Sequence, residues 1–366
     1  MSASPSSLST RGVLGYLPGH PDLVRVRGGH RVVRSLEQWL ERGLHQARWE
    51  LGSSFPSAYA RLVYRFLFRV DNSDQIVAGV LYASEDSHGR PFPFVAFELL
   101  PTGEWDRDPL TVLERSEAFF SDLDVLVRDL VPLRHIGQVH GRVLAAGQPL
   151  SAALPAVSPG RSPTDPDPQL ARELERYQNF LDETCLRDLV LDPSRDALSA
   201  LGDLEWLLRG AGRDPRSLRV GLQLSLVRPP RARPLELRFY TDLVLRLAES
   251  SAPPTVSLFF RPGEGGPGSV VLCFREPSFE LFSALLRPEQ PHRAAYVPGR
   301  GQPGPFGSPP SPFGTLSPDT PLSELTRVLF APPPAATPGG GGIAGALRAA
   351  FGKAQGADSS DLRGAP

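Results

Sequence analysis

Lysine is almost missing from this 366-residue chain: Lys353 is the only one, and the other basic residues are, histidines aside, all arginine. A P-loop needs lysine at the end of a Gly-rich turn, and no GxxxxGK[ST] run exists to supply it. Bulk charge is missing too. The formal net charge is -1, which gives no overall attraction to nucleic acid or to an anionic membrane. The arginine skew reads as the mark of a GC-rich genome rather than of a binding function. Cysteine is scarce. Cys185 and Cys273 lack metal or redox spacing, and suit a reducing cytosol better than a disulfide scaffold. No HExxH or GxSxG appears. No apolar run approaches the ~18 residues of a membrane helix. The opening MSASPSSLSTRGVLG has no long apolar core, so no signal peptide is expected.

Proline, by contrast, is abundant and unevenly placed. Residues 1–11 read as a flexible lead and 12–146 as a first structured block. In it, Val13–Leu17, Val24–Val26, Val63–Val70, Ile76–Ala83 and Pro93–Leu100 are strand candidates. Ser35 looks like an N-cap with Gln38 at the capping-box position. Leu36, Trp39, Leu40, Leu44, Ala47 and Leu51 follow at helical spacing, which predicts a helix over Leu36–Leu51 closed by Gly52. Phe119, Leu123, Leu126 and Leu130 predict a second long helix over Leu110–Leu133. His135 and His140 come after it, five apart. They do not share a helical face and read as ordinary polar or partly buried histidines.

Residues 147–168 are rich in Pro, Ser and Ala and read as a linker or surface loop. A second block, 169–298, is expected to pack on the first as one globule. Its helices are predicted over Leu170–Leu191, Ala197–Leu208, Leu235–Ala248 and Phe279–Leu286. Its strands are predicted over Leu218–Val227, Val256–Phe260 and Val270–Phe274. Residues 299–366 read as a Pro/Gly-rich disordered tail. Within it, Ile343–Phe351 either folds as a short amphipathic helix against a partner or stays nascent with none.

The densest chemistry lies between Ala78 and Phe94, AGVLYASEDSHGRPFPF. An apolar strand stops in a turn that holds Glu85, Asp86, His88 and Arg90, and Phe92-Pro93-Phe94 starts the next apolar run. With Asp22, the Asp86 and His88 side chains are candidates for a metal-dependent hydrolytic site, in which carboxylates raise the basicity of the histidine. The plainer reading is a self-ordering loop. Asp86 accepts from following amides, Arg90 reaches back to it, and Gly89 allows a positive φ. Gly263-Glu264-Gly265-Gly266-Pro267-Gly268 satisfies GxGxxG literally, but a strand follows where a dinucleotide loop must open a helix. It reads as a hairpin turn. Trp39 falls in an apolar stripe and reads as core.

Three runs are similar to the TagF/ImpM family of type VI secretion-associated proteins. Gly15-Tyr16-Leu17-Pro18-Gly19-His20-Pro21-Asp22-Leu23-Val24-Arg25 resembles its opening GKLPxxGDFVR. Trp39-Leu40, Leu51-Gly52, Tyr59 and Tyr64-Arg65-Phe66 resemble its WL…LG…Y…WRF series. Gly79-Val80-Leu81, Ser84, Asp86, Gly89-Arg90 and Phe92-Pro93 resemble its GVLxPSxDxxGRxFP signature. Departures are Tyr16 for lysine, Pro21 for glycine and Ala83 for proline. The fused PP2C-type phosphatase of some relatives has no counterpart here.

The resemblance implies a layered α/β/α sandwich-like fold with a mixed sheet, and no cofactor. It implies a non-enzymatic, cytoplasmic repressor of type VI secretion that binds a forkhead-associated (Fha) scaffold or another secretion component. The signature and docking positions it implies are Gly15, Pro18, Asp22, Trp39, Arg65, Phe66, Ser84, Asp86, Gly89, Arg90, Phe92 and Pro93. Two rival readings stand beside it: the Asp22/Asp86/His88 hydrolase, and an adaptor that recruits partners through its tail.

Overall fold

The computed structural model describes residues 11–71, 73–101, 109–145, 168–189, 197–210, 218–228, 232–247, 256–263, 268–298 and 316–330. The first block runs β1 (Arg11–Gly15), β2 (Val24–Val26), α1 (Arg31–Leu51), α2 (Phe55–Tyr59), β3 (Val63–Arg69), β4 (Gln75–Tyr82), β5 (Phe94–Pro101), α3 (Pro109–Leu130) and α4 (Ile136–Ala145). The second runs α5 (Pro168–Glu183), α6 (Ala197–Gly210), β6 (Gly221–Leu226), α7 (Arg233–Leu247), β7 (Ser257–Arg261), β8 (Gly268–Cys273), α8 (Leu281–Leu286), β9 (Ala295–Tyr296) and α9 (Leu322–Phe330).

All the strands join one nine-stranded sheet in the order β2-β1-β5-β4-β3-β7-β8-β6-β9. Every pairing is antiparallel except β6 with β9, so the sheet is mixed. Strand alternation splits the side chains between two cores. On β3, Tyr64, Phe66 and Phe68 point to the face covered by α1, α2 and α8. On β4, Ile76, Ala78 and Val80 point to the opposite face, covered by α3 to α7 and α9. The result is the expected layered α/β/α arrangement.

The helices largely follow their predicted positions, with informative shifts at the ends. Helix α1 starts at Arg31, because the His30 side chain accepts from the Val32 amide and caps it. Ser35, the predicted cap, sits inside the helix. Helix α3 ends at Leu130. The chain then turns and forms α4, which the sequence reading did not anticipate. Its Val139 and Val143 are buried one turn apart, and a pair is a thin periodic signal.

Part of the stretch read as tail is folded. Residues 316–330 include α9, whose Leu322 and Leu325 are buried in the α3-to-α7 core. Backbone bonds from Leu186 N–H to Thr320 O (2.9 Å) and from Leu322 N–H to Thr184 O (2.8 Å) tie it to the end of α5. Residues 299–315 and 331–366, with the Ile343–Phe351 segment, lie outside the described residues, as do 1–10 and the linker up to 167.

Trp39 is buried at the junction of the two blocks. Its ring stacks on Phe259 at 5.1 Å and meets Phe68 and Phe282 at 5.8 Å each. Its indole N–H donates to Ser278 O at 2.9 Å. Trp39→Ala is expected to cost about 3–5 kcal/mol of folding stability. A denaturant titration checks this, and a midpoint equal to that of the wild type would refute the packing argument.

Candidate docking surface

The candidate site grows from the end of β4. Past Tyr82 the chain leaves the sheet and closes a turn by three backbone bonds. Asp86 N–H donates to Arg90 O (3.1 Å), Gly89 N–H to Asp86 O (3.0 Å), and Phe92 N–H to Ser84 O (3.1 Å). Gly89 takes φ 73°, a conformation that costs a residue with a side chain.

The Asp86 carboxylate holds the turn from inside, where it is buried. Its Oδ1 accepts from the amides of His88 (2.9 Å) and Arg90 (2.8 Å). Its Oδ2 accepts from Arg90 Nε at 2.5 Å. Burial alone would raise the Asp86 pKa. The Arg90 amide, the Arg90 guanidinium and the His88 amide overcome it and hold the group below its ordinary 3.8. Hydrogen bonding to Asp86 in turn raises the Arg90 pKa, and the field of Asp22 adds to it.

The turn is stitched to the loop after β1. Arg90 donates a second bond, to Pro21 O at 2.7 Å, and its guanidinium sits 5.7 Å over the Tyr16 ring. Ser84 Oγ donates to Tyr16 O (2.7 Å), and Ser87 N–H to His20 O (3.0 Å). Tyr59 clamps Ser84 from α2. Its hydroxyl donates to Ser84 O (2.8 Å) and accepts from Ser84 N–H (3.1 Å). Gly15 closes the back. At φ 135° it lies so near the next strand that a Cβ would stand 2.1 Å from Pro93 O. A groove of about 700 Å³ runs beside the turn, lined by Pro18, Tyr59, Ser84, Glu85, Pro91 and Val131 among others.

Gly15, Pro18, Asp22, Ser84, Asp86, Gly89, Arg90, Phe92 and Pro93 therefore meet in one pair of loops. Pro18, Asp22, Gly89 and Arg90 are exposed there, while Gly15, Phe92 and Pro93 are buried. Trp39, Arg65 and Phe66 stand elsewhere. Trp39 and Phe66 belong to the core under α1 and α8. Arg65 faces the other side of the sheet, paired with Glu117 (2.7 Å) and Asp124 (3.1 Å). The clamp of Tyr59 and a bond from Arg48 to Pro91 O (3.3 Å) were not anticipated. Tyr59 stood in the quoted family series, and that was its one signal.

The hydrolytic set of Asp22, Asp86 and His88 would have to use a carboxylate that already holds the turn. Both Asp86 oxygens are engaged by Arg90 and backbone amides. His88 Nδ1 lies 3.8 Å from Asp86 Oδ2 on an exposed side chain. Among the described residues, no group of three His, Cys, Asp or Glu side chains is placed to hold a metal ion. The GxGxxG run lies between β7 and β8, which pair antiparallel from Arg261 opposite Ser269. Its residues 264–267 are outside the described set, but a strand follows it, as a hairpin requires. Cys185 and Cys273 are free thiols, and burial pushes Cys273 up to about 12.

A three-layer α/β/α body with a self-locked turn at one end of its central strands is the class that the fold defines. Residues 12–140 match the TagF N-terminal domain, described as Type VI secretion system-associated. The whole signature turn lies inside the matched region. The crystal structure of PA0076 from Pseudomonas aeruginosa PAO1 aligns over 77% of this chain and 96% of its own, with 18% identity and a TM-score of 0.40. No curated protein matches the chain.

The Asp86 lock has a pH signature. The folded carboxyl is held below its ordinary 3.8, so its stabilising contribution is complete above that value. As pH falls, the unfolded chain takes up the proton first, and the contribution fades until the folded group protonates as well. Asp86→Asn is expected to lower stability at neutral pH and to converge on the wild type in acid. Urea midpoints of the two proteins from neutrality to about pH 3 test this linkage. A gap that stays constant over that range would rule it out.

Proposed function

We propose that the chain is a non-enzymatic regulator that restrains type VI secretion by docking an Fha-type scaffold. The TagF N-terminal domain links the protein to type VI secretion. The regulatory role and the scaffold follow from the family resemblance. The observation that carries the reading is the lock of Asp86 and Arg90, which ties the 84–93 turn to the 15–22 loop. Its effect is an ordered surface with exposed Pro18, Pro21, Asp22, Glu85, Ser87 and His88. A pre-ordered surface loses little conformational entropy on binding, which favours recognition.

Catalysis is not part of this reading, because the carboxylate best placed to act is occupied in holding the loop. In this reading the site of action is the cytoplasm, as the family resemblance implies. Among the described residues, no helix is long and apolar enough to cross a membrane.

The test separates surface from lock. Glu85→Arg and His88→Glu alter exposed side chains that the lock uses little, so folding stability should stay within about 0.5 kcal/mol. Co-purification of the scaffold with the tagged protein should fall by roughly tenfold or more. Arg90→Ala should weaken both binding and stability. The proposal is lost if the wild-type protein does not co-purify with the scaffold and neither deletion nor overexpression changes effector secretion. Removal of residues 331–366 should leave scaffold binding intact, and loss of binding would transfer the role to the tail.

A further inference from the structure

Arg65 belongs to the family series but takes no part in the docking surface. It stands in the wall of a cavity of about 240 Å³ on the far side of the sheet. Phe120 of α3 and Leu237 of α7 flank this space, and Leu258 and Phe260 of β7 floor it. Arg233, at the start of α7, lines it too. At ~30 Å³ of liquid per water, the volume corresponds to about eight waters, enough for one small organic molecule. An apolar space with a few convergent polar groups is the usual form of a small-molecule site.

The polar groups define the head of the occupant. Two of the three charged side chains that line the cavity are arginines, the third being Glu117. Arg65 uses its terminal nitrogens on Glu117 and Asp124, but its Nε is buried and, among the described residues, meets no acceptor. A buried donor without an acceptor is uncommon and costly. The guanidinium also sits 5.6 Å over the Phe120 ring, which lines the same cavity. The requirement is therefore an oxygen acceptor at one end and a short hydrocarbon body along Leu237, Leu258 and Phe260.

We propose that this cavity is a binding site for a small amphiphile with a carboxylate head and a medium-length alkyl chain. The cavity lies across the sheet from α1 and α2. A ligand there would bear on α3 and α7, the helices that flank it, and the proposal stands independently of the docking reading.

Octanoate is the probe. Added to the full-length protein, it is expected to raise the melting temperature progressively with concentration, as a ligand selective for the folded state must. Octylamine, with the same chain and the opposite charge, should give at least ~tenfold weaker binding by isothermal titration, since its head cannot accept from Arg65. Leu237→Trp, which fills the space, should abolish octanoate binding. If that variant does not fold, a crystal of the wild-type chain soaked with bromine-labelled octanoate decides. Anomalous density between Phe120 and Leu258 supports the site. The proposal is overturned by density only elsewhere, by equal binding of octylamine, or by no heat of binding for octanoate.

Discussion

The pairing of β3 with β7 is the interaction on which the rest of the molecule depends. Arg65, Phe66 and Leu67 lie opposite Phe260, Phe259 and Leu258, so residues nearly two hundred positions apart share one ladder. The contact also has side-chain support on both faces. Below, Trp39 and Phe66 stack on Phe259. Tyr64 reaches from β3 to α8, its hydroxyl donating to Leu285 O at 2.7 Å. Ser257 Oγ accepts from the Arg69 amide (3.0 Å) at the end of the ladder, and above it Leu67 and Leu258 stand opposite each other, both buried in the second core. Each of these groups is buried or half-buried, where an unmade hydrogen bond is costly and a lost ring leaves a hole. The same pairing supplies the floor on which Arg65 and Phe260 stand.

One side of this sheet is devoted to order, the other to accommodation. Under α1 and α8 the core is aromatic, with Trp39 in contact with Phe68, Phe259 and Phe282 at once. Across the sheet the helices leave room between α3 and α7, and charges enter the interior. Arg11 and Glu98 pair there at 3.2 Å, both almost fully buried. Glu236 is buried as well. Burial raises its pKa against the opposing pull of the Val227 and Arg228 amides that donate to it. Such a carboxylate ties the start of α7 to the end of β6 and sets where the helix begins.

The sequence was most legible where one short-range rule decided the outcome. The apolar runs of β4 and β5, the apolar stripe of α1 and the glycine and proline stops of the 84–93 turn each carry their own signal. The Asp86–Arg90 lock was readable for the same reason, since both groups lie within five residues. What could not be read was set by distant partners. Nothing local to Tyr59 says that its hydroxyl will clamp Ser84. Nothing local to Arg65 says that it faces α3 rather than the turn. Helix α9 was hidden by composition: its neighbours are so rich in proline and glycine that Leu322 and Leu325 alone did not signal a buried face. Ser35 failed as a cap because His30, a less common capping residue, had already started the helix.

The matched family region stops at residue 140, inside α4, while the ladder on β3 is completed only by β7. A fragment cut at the family boundary would therefore carry a naked strand. The outward amides and carbonyls of Arg65 to Leu67 would have no neighbour, and Phe66 would lose the ring that covers it. Exposed, flat and apolar edges of this kind recruit other chains by strand addition. Such a fragment should elute as soluble aggregates on gel filtration, whereas the intact chain has that edge sealed from within. The unit recognised by sequence is thus smaller than the unit able to stay dispersed.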